Sequence, residues 1–293
     1  MRITNSMHFD ALTGATSRLE NRLLTASKEA QTGLKVAAPE DDPTGAAALV
    51  RLGTIEDQTQ SFKSSIQRVQ SEAELSEGTL ASATDLFTEA KSVALQGASG
   101  ALSASDRAIL SKQVDGMLTD LLSLANTKGE HGYIFAGSAT HTAPFDPAFT
   151  FVGNDDARNV DIAQGVSITS NTSGAKAFTA AGGTDAFQAL QTLKAALDAN
   201  DVSAIGSSVK GLDDVHGQIT AARADTGLLL TRLEATSSTH TQSLTLLASA
   251  KHGIADADLP TAYSQLSQAQ TTYTQAVSVN KQVLSTLSAW FNA

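Results

Sequence analysis

The sequence contains no cysteine. Disulfides, zinc–thiolate sites and thiolate nucleophiles are thereby excluded, and a chain working outside the cell must be stabilised by packing or oligomerisation. Aromatic residues are scarce, at 5% of the 293 residues, although hydrophobic residues reach 41%. The apolar material is therefore mostly Ala, Leu and Val, which suits long, thin helical packing better than a deep globular core. Charge is thin as well: Asp, Glu, Lys and Arg make up only 17%, and Ser, Thr, Gln and Ala fill the balance. The charge present sums to −10. Such a chain lacks the basic footprint that nucleic acid requires and is repelled by an anionic membrane surface. No apolar run approaches the ~18 residues needed to cross a bilayer. The opening Met1-Arg2-Ile3-Thr4-Asn5-Ser6-Met7-His8 has no apolar segment with a small-residue cleavage site. A Sec signal peptide is therefore not expected, and the chain is either cytoplasmic or leaves by a route that cleaves nothing.

Catalytic motifs are missing too. The histidines His8, His131, His141, His216, His240 and His252 include no pair at the i, i+4 spacing of a zinc helix. There is no nucleophile elbow, no P-loop and no dinucleotide fingerprint. The acidic turn Gly153-Asn154-Asp155-Asp156 lacks the ligand spacing of a calcium loop and reads as a solvated turn. No enzyme, cofactor or metal is expected.

What the chain does have is helical periodicity. Phe9, Leu12, Thr16, Leu19, Leu23, Ala26 and Ala30 form a 3–4 stripe that ends near Gly33. Pro39 and Pro43 then interrupt the helix, and Asp42-Pro43 is a good start for the next, with a carboxylate cap followed by a proline in the first turn. Adjacent Asp41 and Asp42 read as a cap and its neighbour rather than an acid–base pair. A second helix runs from Thr44 to about Gln96 and breaks at Gly97-Ala98-Ser99-Gly100. Ser103 and Asp106 form a capping box for a third, giving an αα-hairpin.

At Asn126 the pattern changes. Gly132-Tyr133-Ile134-Phe135-Ala136-Gly137 predicts a buried strand between glycines. Period-two alternation at Phe149/Phe151, Val160/Ile162 and Val166/Ile168 predicts a short β-meander, within an insert at 138–182. Helices resume after Gly183. One carries Phe187, Leu190, Leu193 and Leu197; a longer one is capped by Asp201 and stops around Gly253.

The last segment opens on Asp258, a candidate cap, with Pro260 in the first turn. Leu259, Ala262, Leu266, Ala269, Tyr273, Ala276, Asn280, Val283, Leu287 and Trp290 then follow a 3–4 alternation. From Thr261 onward the only charged side chain is Lys281. A solvated coiled coil dresses its outer face with Glu and Lys. A second row at Tyr263, Val277, Leu284 and Phe291 widens the apolar face, so this helix is expected to bury more than one side among several subunits. Its small seam residues bury little area, about 1 kcal/mol each or less. The terminal pair is therefore expected to be marginal alone and to order on assembly.

The fold expected is mainly α with a small β insert: an elongated layered rod with paired terminal helices, an antiparallel helical bundle and a distal β domain. The divisions are 1–38 with 257–293, 39–137 with 183–256, and 138–182. The expected assembly interface comprises Phe9, Leu12, Leu19, Leu23, Leu259, Leu266, Tyr273, Val283, Leu284, Leu287 and Trp290. Asp42, Pro43 and Asp258 serve as helix caps.

Several pieces in order carry a family resemblance. They are Arg2-Ile3-Thr4, Gln31-Thr32-Gly33-Leu34-Lys35-Val36, and Pro39-Glu40-Asp41-Asp42-Pro43-Thr44-Gly45-Ala46-Ala47. Mid-chain they continue with Ala125-Asn126-Thr127, Gly132 to Ser138 and Pro144-Phe145, then Arg158 to Ile162, Gly165-Val166, Asn171, Gly174 and Phe178. The chain resembles the flagellin superfamily, and within it the hook-associated branch at the hook–filament junction. Filament flagellin is the near alternative, but its usual Gln-Ala-Asn and Pro-Gln ending is replaced by Gln270-Thr271-Thr272-Tyr273 and Trp290-Phe291. A secreted coiled-coil adhesin or binding module is the alternative from another class, and a hydrolase hidden in the β insert is a third. The resemblance implies terminal helices innermost in a tube and export through the flagellar type III channel without cleavage. It also implies an export chaperone, and a homo-oligomeric ring between a preceding hook-junction protein and filament flagellin.

Overall fold

The computed structural model describes residues 2–291, with side chains for 7 and for 9–286. The leading stripe forms helix α1 (Arg2–Thr32). It ends at Gly33, whose φ of +70° is the left-handed geometry that closes a helix without a Cβ penalty. Helix α2 (Pro43–Gly97) starts where the Asp-Pro signal places it: Asp42 Oδ1 accepts from Thr44 N at 3.0 Å. Helix α3 (Ala104–Ala125) opens on the expected capping box. Asp106 N donates to Ser103 Oγ at 3.2 Å and Ser103 N to Asp106 Oδ2 at 3.1 Å. Helices α5 (Ala186–Asp198), α6 (Val202–Ala255) and α7 (Leu259–Phe291) complete the long elements. Asp201 Oδ1 caps α6 by accepting from Ser203 N and Ala204 N, both at 3.0 Å. α6 runs two residues past the expected stop, because Gly253 is tolerated inside a helix that the following loop terminates.

The insert differs from the expected meander. Strands β1 (Lys128–Gly129) and β2 (Gly132–Tyr133) make a two-residue ladder, and β3 (Asn159–Ala163) pairs antiparallel with β4 (Val166–Thr169) in a separate hairpin. The Gly132–Gly137 stretch is strand only at its first two residues. Ile134, Phe135 and Ala136 are buried, as expected, but they follow turns into the core rather than a ladder. Gly137, with φ +66°, passes so close to Asn154 that a Cβ would lie 2.1 Å from its carbonyl oxygen. Phe149 and Phe151 form no strand. Asp146 Oδ1 accepts from Ala148 N and Thr150 N, an Asx turn that leaves one isolated bridge between Phe145 and Phe151. A short helix α4 (Gly174–Phe178) and a 3₁₀ turn close the segment. Of the three alternating pairs, Val160/Ile162 and Val166/Ile168 form the β3–β4 hairpin, and local turn chemistry redirects only Phe149/Phe151 into core packing.

The chain divides into two compact units, Met1–Gln58 with Ser243–Ala293, and Thr59–Gln242. In the second unit, α2, α3, α5 and α6 enclose a core that includes Leu80, Phe87, Val114, Leu121, Leu190, Leu193 and Val215. α2 and α3 run antiparallel, as the expected hairpin requires: Gln113 reaches Glu89, while nearer the turn Arg107 reaches Gly97. Arg107 is 4% exposed. Its guanidinium donates to Gly97 O at 2.8 Å, Ser99 O at 2.7 Å and Asn200 Oδ1 at 2.6 Å, tying the α2–α3 loop to the α5–α6 loop. The scarce aromatics concentrate at the other end of this core. Phe145 contacts Phe151, Phe178 and Phe187 at centroid distances of 5.2, 6.0 and 5.0 Å. Asn126 holds Phe145 like a strand partner: its Nδ2 donates to Phe145 O at 2.9 Å and its Oδ1 accepts from Phe145 N at 3.0 Å.

The β3–β4 hairpin sits on a smaller cluster of its own, formed by Ile66, Val69, Ile162, Ile168 and Leu233. A bulge between Asp161 and Ala163 takes Ile162 out of the ladder. Its carbonyl instead accepts from His240 Nε2 at 2.7 Å, and the imidazole stacks on Phe62 at 6.0 Å.

Candidate assembly interface

In the first unit α1 and α7 pair antiparallel. The sense follows from Asn280 Nδ2, which donates to Thr16 Oγ1 at 2.6 Å, and from Ala257 N, which donates to Gly33 O at 2.9 Å. The two stripes read from the sequence face each other. Leu12, Thr16, Leu19 and Leu23 on α1 and Leu266, Ala269, Tyr273, Ala276, Asn280 and Val283 on α7 are half-buried; Ala26, Ala30 and Ala262 are buried. Small residues bring the helices together at the loop end. Beside them an open groove of about 530 Å³ carries Asn21, Arg22, Thr25 and Glu29 on one wall and Gln265, Gln268 and Thr272 on the other.

Not every expected interface residue lies in this seam. Phe9, Leu259 and Leu284 are exposed, as is Tyr263 of the second row, whereas Val277 is half-buried. The side chains of Leu287 and Trp290, and of Phe291, lie outside the described residues. The two faces of α7 thus divide: one row packs on α1, and the other carries Tyr263 and Leu284 away from it. Of the caps, Asp42 acts on backbone N–H, and Pro43 is the first residue of α2. Asp258 differs. Pro260 has no N–H to give, and the Asp258 carboxylate accepts from the Thr261 hydroxyl at 2.5 Å instead.

The connectors at the base of the pair are joined more tightly than the sequence suggests. Leu34 and Asp256 form an antiparallel bridge, and Ala255 O accepts from Lys35 N at 2.7 Å and Val36 N at 3.2 Å. Val36 is buried there. Asp41 turns back into the same loop: its Oδ2 accepts from Ala37 N at 3.0 Å, Ala38 N at 2.8 Å and Lys28 Nζ at 3.0 Å. The Lys28 hydrogen bond, followed by that from Ala38, holds the Asp41 carboxyl below the ordinary aspartate range. Lys251 pairs with Glu56 at 2.6 Å between α6 and α2 in the same unit. Sequence periodicity had no means of finding these residues. Their partners are loop amides and a lysine outside the apolar stripe, and a charge pattern does not reveal which loop folds back.

Among the described residues no group of three or more His, Asp or Glu side chains is placed to hold a metal ion, and none of the helices is long and apolar enough to cross a membrane. The interface offers packing surface and amide groups.

Residues 3–140 match the bacterial flagellin N-terminal helical region. More particularly, the relatives are hook-associated. Over 149 residues the chain is 30% identical to flagellar hook-associated protein 3 of Salmonella typhimurium, covering 50% of this chain and 47% of that protein. Over 259 residues it is 27% identical to flagellar hook-associated protein 3 of Escherichia coli K12, covering 80% and 81%. The chain thus spans about half the length of the first relative and most of the second. The solved structure of the flagellar junction protein FlgL from Legionella pneumophila superposes with a TM-score of 0.59 at 16% identity, over 71% of this chain and 99% of that one. That likeness concerns the fold. The relatives named are flagellar hook-associated and junction proteins.

Proposed function

We propose that this chain is a structural, non-catalytic subunit of the bacterial flagellum that joins hook to filament through its terminal helices. The carrying observation is the two-faced α7. One row packs on α1, the other carries exposed Tyr263 and Leu284, and Lys281 is its only charge beyond Thr261. Such a surface suits burial among neighbouring subunits better than solvation. The half-buried seam of Leu12, Leu19, Leu23, Leu266, Tyr273 and Val283 would set the pair. Phe9, Leu259 and Leu284 would meet neighbours; Leu287 and Trp290 join them on the sequence pattern alone.

In this reading the subunits form a ring of like copies between a preceding hook-junction protein and the first filament flagellin. A chaperone holds the subunit before export, and export through the flagellar channel removes no leader. The three-part division, with 138–182 outermost, belongs to the same proposal. The hook-associated relatives support the setting, and the net charge of −10 is consistent with protein partners rather than nucleic acid or lipid.

The test is genetic. A strain lacking the protein is expected to keep its hooks and to shed flagellin into the medium. Supplying a variant deleted for 270–293 is expected not to restore filaments. Normal filaments from that variant would overturn the proposal in favour of a binding module that uses other surfaces.

A further inference from the structure

The two connectors of the first unit are 33–42, between α1 and α2, and 256–258, between α6 and α7. They are distant in sequence yet directly hydrogen-bonded. Lys35 N and Val36 N donate to Ala255 O, and Ala257 N donates to Gly33 O. The Asp41 carboxylate braces this joint from one side by gathering Ala37 N, Ala38 N and Lys28 Nζ of the last turns of α1. Main-chain bonds of this kind do not depend on the apolar stripe, which at this end rests on the small side chains of Ala26, Ala30 and Ala262.

Burial declines away from the joint. Ala30, Val36 and Ala262 are 4, 6 and 3% exposed. Farther along the same two helices the seam residues Leu12, Thr16, Leu19, Tyr273, Asn280 and Val283 are only half-buried. Two helices so far apart in the chain bear a closure cost before any pairing is gained, and a first paired turn is the costly step of a cooperative process. A joint that already holds the two roots together removes that step. Later turns then need to supply only their own ordering.

We infer that the joint of 33–41 with 255–257 is the seed of the terminal pair, which it holds closed at the root in the free subunit while pairing completes outward when neighbouring subunits dock. The outward completion rests on the assembly proposed above; the seed itself does not. Asp41 is the positioning residue, because its carboxylate binds two connector amides and Lys28 of α1 at once.

Hydrogen exchange on the full-length free subunit tests this. The amides of Lys35, Val36 and Ala257 are expected to be better protected than those of 12–19 and 276–283, with protection falling steadily outward. Asp41→Asn is expected to speed exchange at Lys35, Val36 and Ala257 roughly tenfold, and at the distal turns as well. Amides of Val69–Ala94 in the second unit should be unchanged, which shows that the variant folds. Lys28→Met removes the ion pair but keeps the carboxylate on Ala37 and Ala38, and should give a smaller effect of the same pattern. Uniform protection along both helices, joint amides no slower than distal ones, or an Asp41→Asn joint that exchanges as before would each overturn the seed. Filament growth tests assembly separately, so either idea can fail while the other stands.

Discussion

Arg107 shows how a single residue organises loops that the hydrophobic pattern leaves alone. It is a buried cation satisfied by two carbonyls and an amide, with Gly97 O supplied by the C-terminal end of α2, where the helix dipole favours positive charge. Arg107→Ala strands those acceptors, and a loss of about 3 kcal/mol is expected, read as a fall in urea midpoint with unchanged slope. Titration gives a second expectation at this scale. Asp41, Asp106 and Asp198 all sit below the ordinary aspartate range, through hydrogen bonds first from Lys28, Ser103 and Ser111 respectively. Each folded pKa is depressed, so each contributes stability that is fully present above the unfolded value and is lost as pH falls through the folded one. Stability should therefore decline on acidification below the ordinary aspartate range, and Asp106→Asn should flatten part of that decline in denaturation curves taken across acid pH.

Among the elements, the helices and the β3–β4 hairpin were legible, and the turns through 132–137 and 145–151 were not. At the starts of α2, α3 and α6 the side chains of Asp42, Ser103 and Asp201 each accept from a backbone N–H, a contact set by a short local motif. Ser103→Ala is expected to cost about 1 kcal/mol, measurable by thermal denaturation. The β3–β4 hairpin depends on a contact with no local signal. Residue 162 leaves the ladder at a bulge, and its carbonyl is met by His240, which lies in α6. His240→Phe keeps a ring against Phe62 but leaves that carbonyl without its donor. A loss of about 1–3 kcal/mol is expected, with faster exchange confined largely to β3 and β4. Faster exchange throughout α3 and α5 would show instead that the imidazole supports the main core.

For the whole molecule, the distribution of the core matters more than its size. The main and minor clusters consist of residues between Ile66 and Leu233, inside the Thr59–Gln242 unit, while the unit holding both ends relies on alanines, half-buried leucines and loop bonds. Apolar burial supplies most of the favourable free energy of folding. Amides at 12–30 should therefore exchange at lower urea than those at 80–94 or 114–121. A single coincident transition for both sets would show that the ends are as stable alone as the bundle, against ordering on assembly.

The amino-acid sequence by itself determined the mainly helical fold with a small β insert, the places where helices begin, and the stripes that α1 and α7 turn toward each other. These follow from local rules: a period of 3.6, a capping side chain, and a proline or glycine where the chain must stop. The missing charge on α7 was legible in the same way. Only the tertiary structure decided which row of α7 meets α1, that Asp41 folds back on its own loop, and that Phe145, Phe149 and Phe151 serve a core rather than a meander. Each depends on partners distant in sequence: Asn126 on Phe145, Ala255 on Lys35, His240 on Ile162. Periodicity describes what a segment presents along its own axis, and it carries no information about which distant group will satisfy a freed carbonyl or amide.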